Sequence, residues 1–183
     1  MKRSQISSLC RSKRAAVPRA SGAFLFSGAA SSALVFRELR LPMRDTFNLD
    51  RFVRAQDDVY DTVLRELKDG HKRSHWIWFI FPQVAGLGRS PMAEKYAIQS
   101  RLEADAYSAH PVLGARLREC TSLVDGCNSS TISDILPSPD DLKFHSSMTL
   151  FARVTGDELY ERVLNRYFSG HRDIATEEFL DRH

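Results

Sequence analysis

The stretch Lys72–Gln83, Lys-Arg-Ser-His-Trp-Ile-Trp-Phe-Ile-Phe-Pro-Gln, decides the fold of this chain, and we call it the aromatic block. It contains both tryptophans of the protein, which lie with two phenylalanines in Trp76–Phe81. An aromatic side chain buries about 150–250 Å² on folding, so we expect the block at the centre of the core. Two polar residues, His75 and Gln83, flank the apolar run, where a pocket in that core would have its walls.

The backbone conformation of the aromatic block is ambiguous by pattern alone. An uninterrupted apolar run is compatible with a buried strand and with a buried helix. Ser74 as N-cap and Pro82 as terminator favour a short helix. A strand would need a partner, and only Met148–Val154 resembles one. We therefore predict a helix.

The remainder of the chain after residue 44 has helical periodicity. Apolar residues recur at helical spacing between a predicted N-cap at Asn48 and a predicted end at Gly70. Gln56 interrupts this stripe, so it should point inward and need a polar partner. We predict an all-α fold over residues 45–183, an irregular compact bundle of about seven short helices in a single domain. Further helices are expected to begin near Ser90, Ser100, Pro111, Ser138, Asp157 and Thr176.

Residues 1–44 differ from the rest of the chain in composition. They hold nine Lys or Arg and a single acid, Glu38, which leaves 17 basic and 22 acidic residues in 45–183. A basic leader rich in Arg, Ser and Ala is typical of a transit peptide, and we predict mitochondrial import, with the plastid as an alternative. A secretory signal and a disordered or mispredicted extension are the other interpretations. Translation from Met43 would give a cytoplasmic protein.

The charge distribution and the cysteines exclude several classes of function. The folded part carries a formal net charge of −5, which argues against a nucleic-acid partner. No segment reaches the roughly 20 apolar residues needed to span a membrane, so we expect no membrane partner. Cys120 and Cys127 lack metal-type spacing and are expected to be reduced thiols. His71 and His75 are four residues apart, but Gly70 and Ser74 disfavour a continuous helix there, so we predict no metal site, and no motif calls for a cofactor.

Two groups of residues outside the aromatic block are candidates for ligand binding. The loop that contains Gly86, Gly88 and Ser90 leads into a helix start, where free amides favour an anion such as phosphate. The alternative is a glycine turn followed by an ordinary N-cap. Further along, Lys143 shares a helix face with Ser146 and Ser147. This lysine would bind an anion or activate a serine, although a lysine that reaches past packed serines to solvent is the simpler interpretation.

The third candidate group belongs to the aromatic block. His75 is a candidate general acid–base because its ordinary pKa lies near neutrality. Trp76 and Trp78 would stack on a planar ring, while their alternative is a place in the core. Gln83 would line the same pocket, as would the inward amide of Gln56.

Several motifs together resemble one family. They are Arg54-Ala55-Gln56, Ser74-His75-Trp76, Trp78 to Gln83, Gly86-Leu87-Gly88, Tyr96-Ala97-Ile98, His110-Pro111, and Lys143 with Ser146 to Phe151. Over nearly the whole folded part the chain resembles the domain-of-unknown-function family 1810. The resemblance implies an all-helical fold and little about activity, because the family lacks an established reaction. The basic leader is not part of the family pattern.

Two functions fit these residues. The first is binding or processing of a small phosphorylated or nucleotide-like ligand, of the NAD or ADP-ribose type, in a pocket around the aromatic block. His75 would move a proton there, and Lys143 would stabilise negative charge. The alternative is a non-catalytic module that binds a protein partner, in which the aromatic block is core only. The sequence leaves open whether the protein is an enzyme.

Overall fold

The computed structural model describes residues 45–182. This part of the chain contains no strand, only an isolated parallel bridge between Val84 and Ile98. The all-α prediction is therefore confirmed, while the predictions for the leader, residues 1–44, lie outside the described residues. The described residues form ten helices rather than about seven: α1 Asp50–Asp57, α2 Tyr60–Lys68, α3 Ile77–Ile80, α4 Pro91–Lys95, α5 Arg101–Ala109, α6 Leu113–Asp125, α7 Ile132–Ile135, α8 Asp140–Thr155, α9 Glu158–Phe168 and α10 Ile174–Arg182.

The first predicted helix is in fact two, α1 and α2. The chain breaks at Asp58 and Val59, although the apolar periodicity continues across the break, which is why the pattern alone predicted a single helix. Asn48 is not the cap either, because it has a positive φ of 50°. The Asp45 carboxylate instead accepts hydrogen bonds from the amides of Leu49 and Asp50, at 2.6 and 2.9 Å.

The aromatic block forms the short helix α3 inside the core. Ser74 does not cap it, because its own amide donates to the Glu66 carboxylate at 3.2 Å and the helix begins only at Ile77. Trp76 and Phe81 are buried, as expected for the centre of the fold. The block lies against α8, where the Phe81 ring meets the Phe144 ring edge-on at 4.8 Å. Since α8 also packs on α5, α9 and α10, it is the central helix of the bundle.

Most of the predicted helix starts are confirmed. The Ser90 hydroxyl caps α4 by accepting from the Ala93 amide at 3.1 Å, and Ser100 caps α5 in the same way. The start of α10 was misplaced, because the Asp173 carboxylate caps that helix by accepting from the Thr176 amide at 2.9 Å. Helix α7 was not predicted. Among the described residues, every helix is too short or too polar to cross a bilayer.

Candidate functional site

Two lysines share one carboxylate beside the aromatic block. The ammonium groups of Lys72 and Lys143 each lie 2.6 Å from an oxygen of Asp140, one on Oδ2 and the other on Oδ1. Lys72 stands just before α3, whereas Asp140 and Lys143 lie one turn apart at the start of α8. Burial by itself raises the pKa of Asp140, but hydrogen bonds from Lys143 and Lys72 bring the pKa below its ordinary value.

Each of these ammonium groups also lies over an indole ring. Lys72 Nζ is 5.2 Å from the ring centroid of Trp76, and Lys143 Nζ is 4.9 Å from that of Trp78. Trp76 is buried, but Trp78 is only half-buried, so Lys143 and Trp78 form the edge that solvent reaches. We call these five residues, Lys72, Trp76, Trp78, Asp140 and Lys143, the lysine–tryptophan cluster.

Ser147 extends the same face of α8. It lies one turn beyond Lys143 and is fully buried. Its hydroxyl has no hydrogen-bond partner among the described residues. Such a group usually has a partner, since leaving it unpaired costs about 1–3 kcal/mol. Ser146 differs, because its hydroxyl donates to the Leu142 carbonyl at 3.3 Å.

A second carboxylate, Glu66, holds the buried tryptophan. One of its oxygens accepts hydrogen bonds from the amides of Arg73 and Ser74, at 3.0 and 3.2 Å, and from the Trp76 indole at 2.8 Å. Burial raises the pKa of Glu66, but these donors outweigh it and lower the pKa to about 2. Glu66 therefore orients the block, and Lys72 pairs with Asp140 instead.

Two of the predicted ligand residues, Gln56 and Trp76, lie in the core and not on a pocket wall. The Gln56 amide donates to the Phe79 carbonyl at 2.7 Å and to the Tyr107 hydroxyl at 3.1 Å. It also accepts from Arg116 at 3.4 Å, which confirms the expected inward orientation and polar partner. Satisfied and buried, Gln56 ties α1 to α3 and α5 instead of facing a ligand.

Three other predicted residues line one small cavity of about 210 Å³. They are Gln83, Gly86 and Gly88. A Cβ on Gly88 would lie 2.3 Å from the Ala93 Cβ, so this glycine permits the loop to pack on α4. The described lining includes neither Ser90, whose hydroxyl caps α4, nor His75, nor Lys143. The sequence predicted one pocket shared by His75, Gln83 and Lys143. This cavity contains Gln83 without the other two.

Comparison with known proteins agrees with the fold. A family model described as "Protein of unknown function (DUF1810)" matches residues 46–180. The chain belongs to the DUF1810 family. It is also similar to the conserved hypothetical protein Rv1873 from Mycobacterium tuberculosis, with 49% identity and a TM-score of 0.74. That match covers 75% of this chain and 99% of the crystal structure of Rv1873. No curated protein matches the chain.

Sequence reasoning missed two members of the lysine–tryptophan cluster in this DUF1810 domain. Asp140 stands three residues before Lys143 at a helix start, so its pairing with that lysine was visible in the spacing. The pairing of Lys72 with Asp140 depends on how α3 packs against α8, and no local pattern shows it. His75 is exposed, and its ring has no hydrogen-bond partner within residues 45–182. Its catalytic role stays a prediction.

Other ionisable groups of the DUF1810 domain do not form a metal centre. Across residues 45–182, no group of three or more His, Cys, Asp or Glu side chains is placed to hold a metal ion. Cys120 is buried, and burial raises the pKa of its thiol to about 12, so it is unreactive at neutral pH. A larger cavity of about 880 Å³ lies between the start of α1 and the end of α5, away from the lysine–tryptophan cluster.

Proposed function

We propose that this domain binds a small anionic ligand with a planar ring, of the phosphorylated or nucleotide-like class, at the lysine–tryptophan cluster. One observation supports the proposal above all. Two ammonium groups share the Asp140 carboxylate, so Lys72, Asp140 and Lys143 together carry a formal charge of +1 in a largely buried setting, while Glu66, the other carboxylate beside the block, accepts from three N–H donors. A buried cation in excess favours an anionic partner, because proteins seldom leave such a charge unpaired.

The two lysines would have different roles. The Lys143 side chain is 20% exposed, so its ammonium can meet a phosphate or carboxylate that arrives from solvent. The Lys72 side chain is only 7% exposed and stands behind the carboxylate. It holds Asp140 and adds positive potential without touching the ligand. An anion about 4 Å from Lys143 gains about 4 kcal/mol of Coulomb energy near a protein surface, before desolvation is subtracted.

The half-buried Trp78 supplies the second part of the recognition. Its indole already lies beneath the Lys143 ammonium, and the residue is only half-buried. A planar group would stack there while its phosphate reaches Lys143. His75, three residues before Trp78 and exposed, is the group that would transfer a proton if the ligand is processed.

Tryptophan fluorescence tests this proposal directly, since both tryptophans of the chain belong to the cluster. The full chain is titrated with ADP-ribose, AMP and inorganic phosphate. We expect quenching by the nucleotides at up to about millimolar concentration and at least tenfold weaker binding by Lys143→Gln.

Lys95→Gln is the matched control. Lys95 also lies over an aromatic ring, 5.1 Å from the Tyr96 centroid, but no ion pair links it to a described carboxylate. The control should bind as the unmodified protein does, and both variants should keep the same helical circular dichroism. Equal binding by Lys143→Gln, or no response to any of the three compounds, would contradict the proposal.

A further inference from the structure

Backbone hydrogen bonds and one close glycine contact define the walls of the small cavity beside α4. On one side, the Ile98 amide donates to the Gln83 carbonyl at 2.8 Å, and the Ala85 amide donates to the Ile98 carbonyl at 2.9 Å. On the other side, Gly88 packs against Ala93. The cavity measures about 210 Å³, and its described lining is Gln83, Val84, Ala85, Gly86, Gly88, Ala93, Glu94, Ala97 and Gln99.

The one charged side chain in the described lining of this cavity is an acid. Glu94 is the one ionisable residue in the described lining, and its carboxylate makes no ion pair or hydrogen bond with residues 45–182. The side-chain amide of Gln83 also has no partner there. Gln99 uses its Nε2 to donate to the Ala97 carbonyl at 3.3 Å, which leaves its Oε1 available.

The nearest basic residues in the sequence do not reverse this charge. Arg89 precedes α4 and Lys95 is its last residue, but neither lines the cavity. Lys95 instead lies over the Tyr96 ring. The cavity therefore presents a formal charge of −1, and a phosphate would face the Glu94 carboxylate there. The anion expected at this loop from the sequence does not suit the lining.

From these groups we infer that the cavity receives the cationic head of a small ligand, an ammonium or guanidinium group. The Glu94 carboxylate would pair with the cation, and the free amide oxygens of Gln83 and Gln99 would accept its N–H groups. A volume of about 210 Å³ equals that of roughly seven liquid waters at about 30 Å³ each. This is enough for the charged head and a few methylenes. The site is distinct in place and in charge from the lysine–tryptophan cluster.

Nuclear magnetic resonance titration tests the inference on the full chain. The probes are putrescine, agmatine and inorganic phosphate, and the readout is the shift of the Gly86 and Gly88 amide resonances. We expect the two amines to move both resonances and phosphate to leave them unchanged. Nα-acetyl-lysine methylamide presents the same ammonium as a protein side chain, so its affinity relative to putrescine distinguishes a free amine from a lysine residue.

Three variants complete the test. Glu94→Gln should weaken amine binding at least tenfold, and Gln83→Glu, which adds a second carboxylate, should strengthen it severalfold. Glu158→Gln is the matched control, because Glu158, like Glu94, is an exposed glutamate in the first turn of a helix. Unchanged binding by Glu94→Gln, an equal response to phosphate, or no response to amines at about 10 mM would overturn the inference.

Discussion

Single buried polar side chains set the position of the aromatic block. Gln56 reaches the Phe79 carbonyl, and Glu66 collects three N–H donors around Trp76. Each bond replaces one that the free groups make to water, so its net value is modest, but losing one partner leaves a buried group unpaired. Ser147 has no such compensation among the described residues. We therefore expect a substitution at Glu66 to lower the stability of the domain and a substitution at Ser147 to raise it.

Glu66→Gln should destabilise the domain by about 1–3 kcal/mol, because a charged acceptor of three hydrogen bonds is lost. It should also change the response to acid. The folded pKa of Glu66, about 2, is below the unfolded value, so its stabilising effect is present above about pH 4.3 and is lost as pH falls towards 2. Thermal melts between about pH 2 and 6 should show a shallower acid decline in the variant. Parallel curves for the two proteins would contradict this assignment.

Ser147→Ala should stabilise the domain by about 1 kcal/mol, because a methyl replaces an unpaired hydroxyl in the core. Ser146→Ala provides the comparison, since it removes a hydroxyl that is bonded to the Leu142 carbonyl. Urea unfolding measures both. A loss of stability in Ser147→Ala greater than that in Ser146→Ala would show that the Ser147 hydroxyl has a bound partner, such as an ordered water.

Close approach between elements depends on a few small residues. The loop after the aromatic block packs on α4 through Gly88 and Ala93, and the parallel bridge between Val84 and Ile98 holds the loop to the segment before α5. This packing shapes the small cavity with Glu94 on its wall. The glycine is therefore explained by packing, which was the simpler of the two interpretations of the Gly-Leu-Gly loop.

Gly88→Ala should destabilise the domain by about 1–3 kcal/mol, because its Cβ would overlap the Ala93 methyl and the loop would have to move. Ala93→Gly removes that methyl at a cost of about 1 kcal/mol in an α4 position. In the double variant the overlap is gone, so its loss of unfolding free energy should be smaller than the sum of the losses in the two single variants. Denaturant unfolding of the four proteins gives the coupling energy. Simple additivity would contradict the packing explanation.

The two parts of the whole molecule differ in the sign of their net charge. Residues 1–44 carry a formal charge of +8, whereas residues 45–183 carry −5, and the family match begins only at residue 46. The basic leader therefore adds a property that the DUF1810 pattern does not include. Its composition predicts targeting, which the comparisons and the structure leave as a prediction.

A reporter fusion tests this prediction. Residues 1–44 fused to a fluorescent protein should localise to mitochondria, because a basic, acid-poor segment is attracted by the import machinery and the membrane potential. Replacing Arg11, Lys13 and Arg14 with Gln should reduce import severalfold. A fluorescent-protein fusion whose translation starts at Met43, so that residues 1–42 are absent, should remain in the cytoplasm. Plastid, secretory or cytoplasmic localisation of the complete leader fusion would contradict mitochondrial targeting.

The sequence by itself determined the local features of this protein. Helical periodicity, the Ser90 and Ser100 caps, the buried aromatic block and the family followed from residues a few positions apart, because helices and caps are built from such neighbours. The break between α1 and α2 escaped this reasoning, since the apolar stripe does not change there.

Only the tertiary structure decided which polar groups meet. Lys72 and Lys143 are far apart in sequence, and they share Asp140 because α3 packs on α8. Packing of α1 against α3 and α5 buries Gln56 with its own partners, and Lys143 stays at an open edge beside Trp78. Spacing along one helix defines a face, but the direction in which helices cross decides what that face contacts.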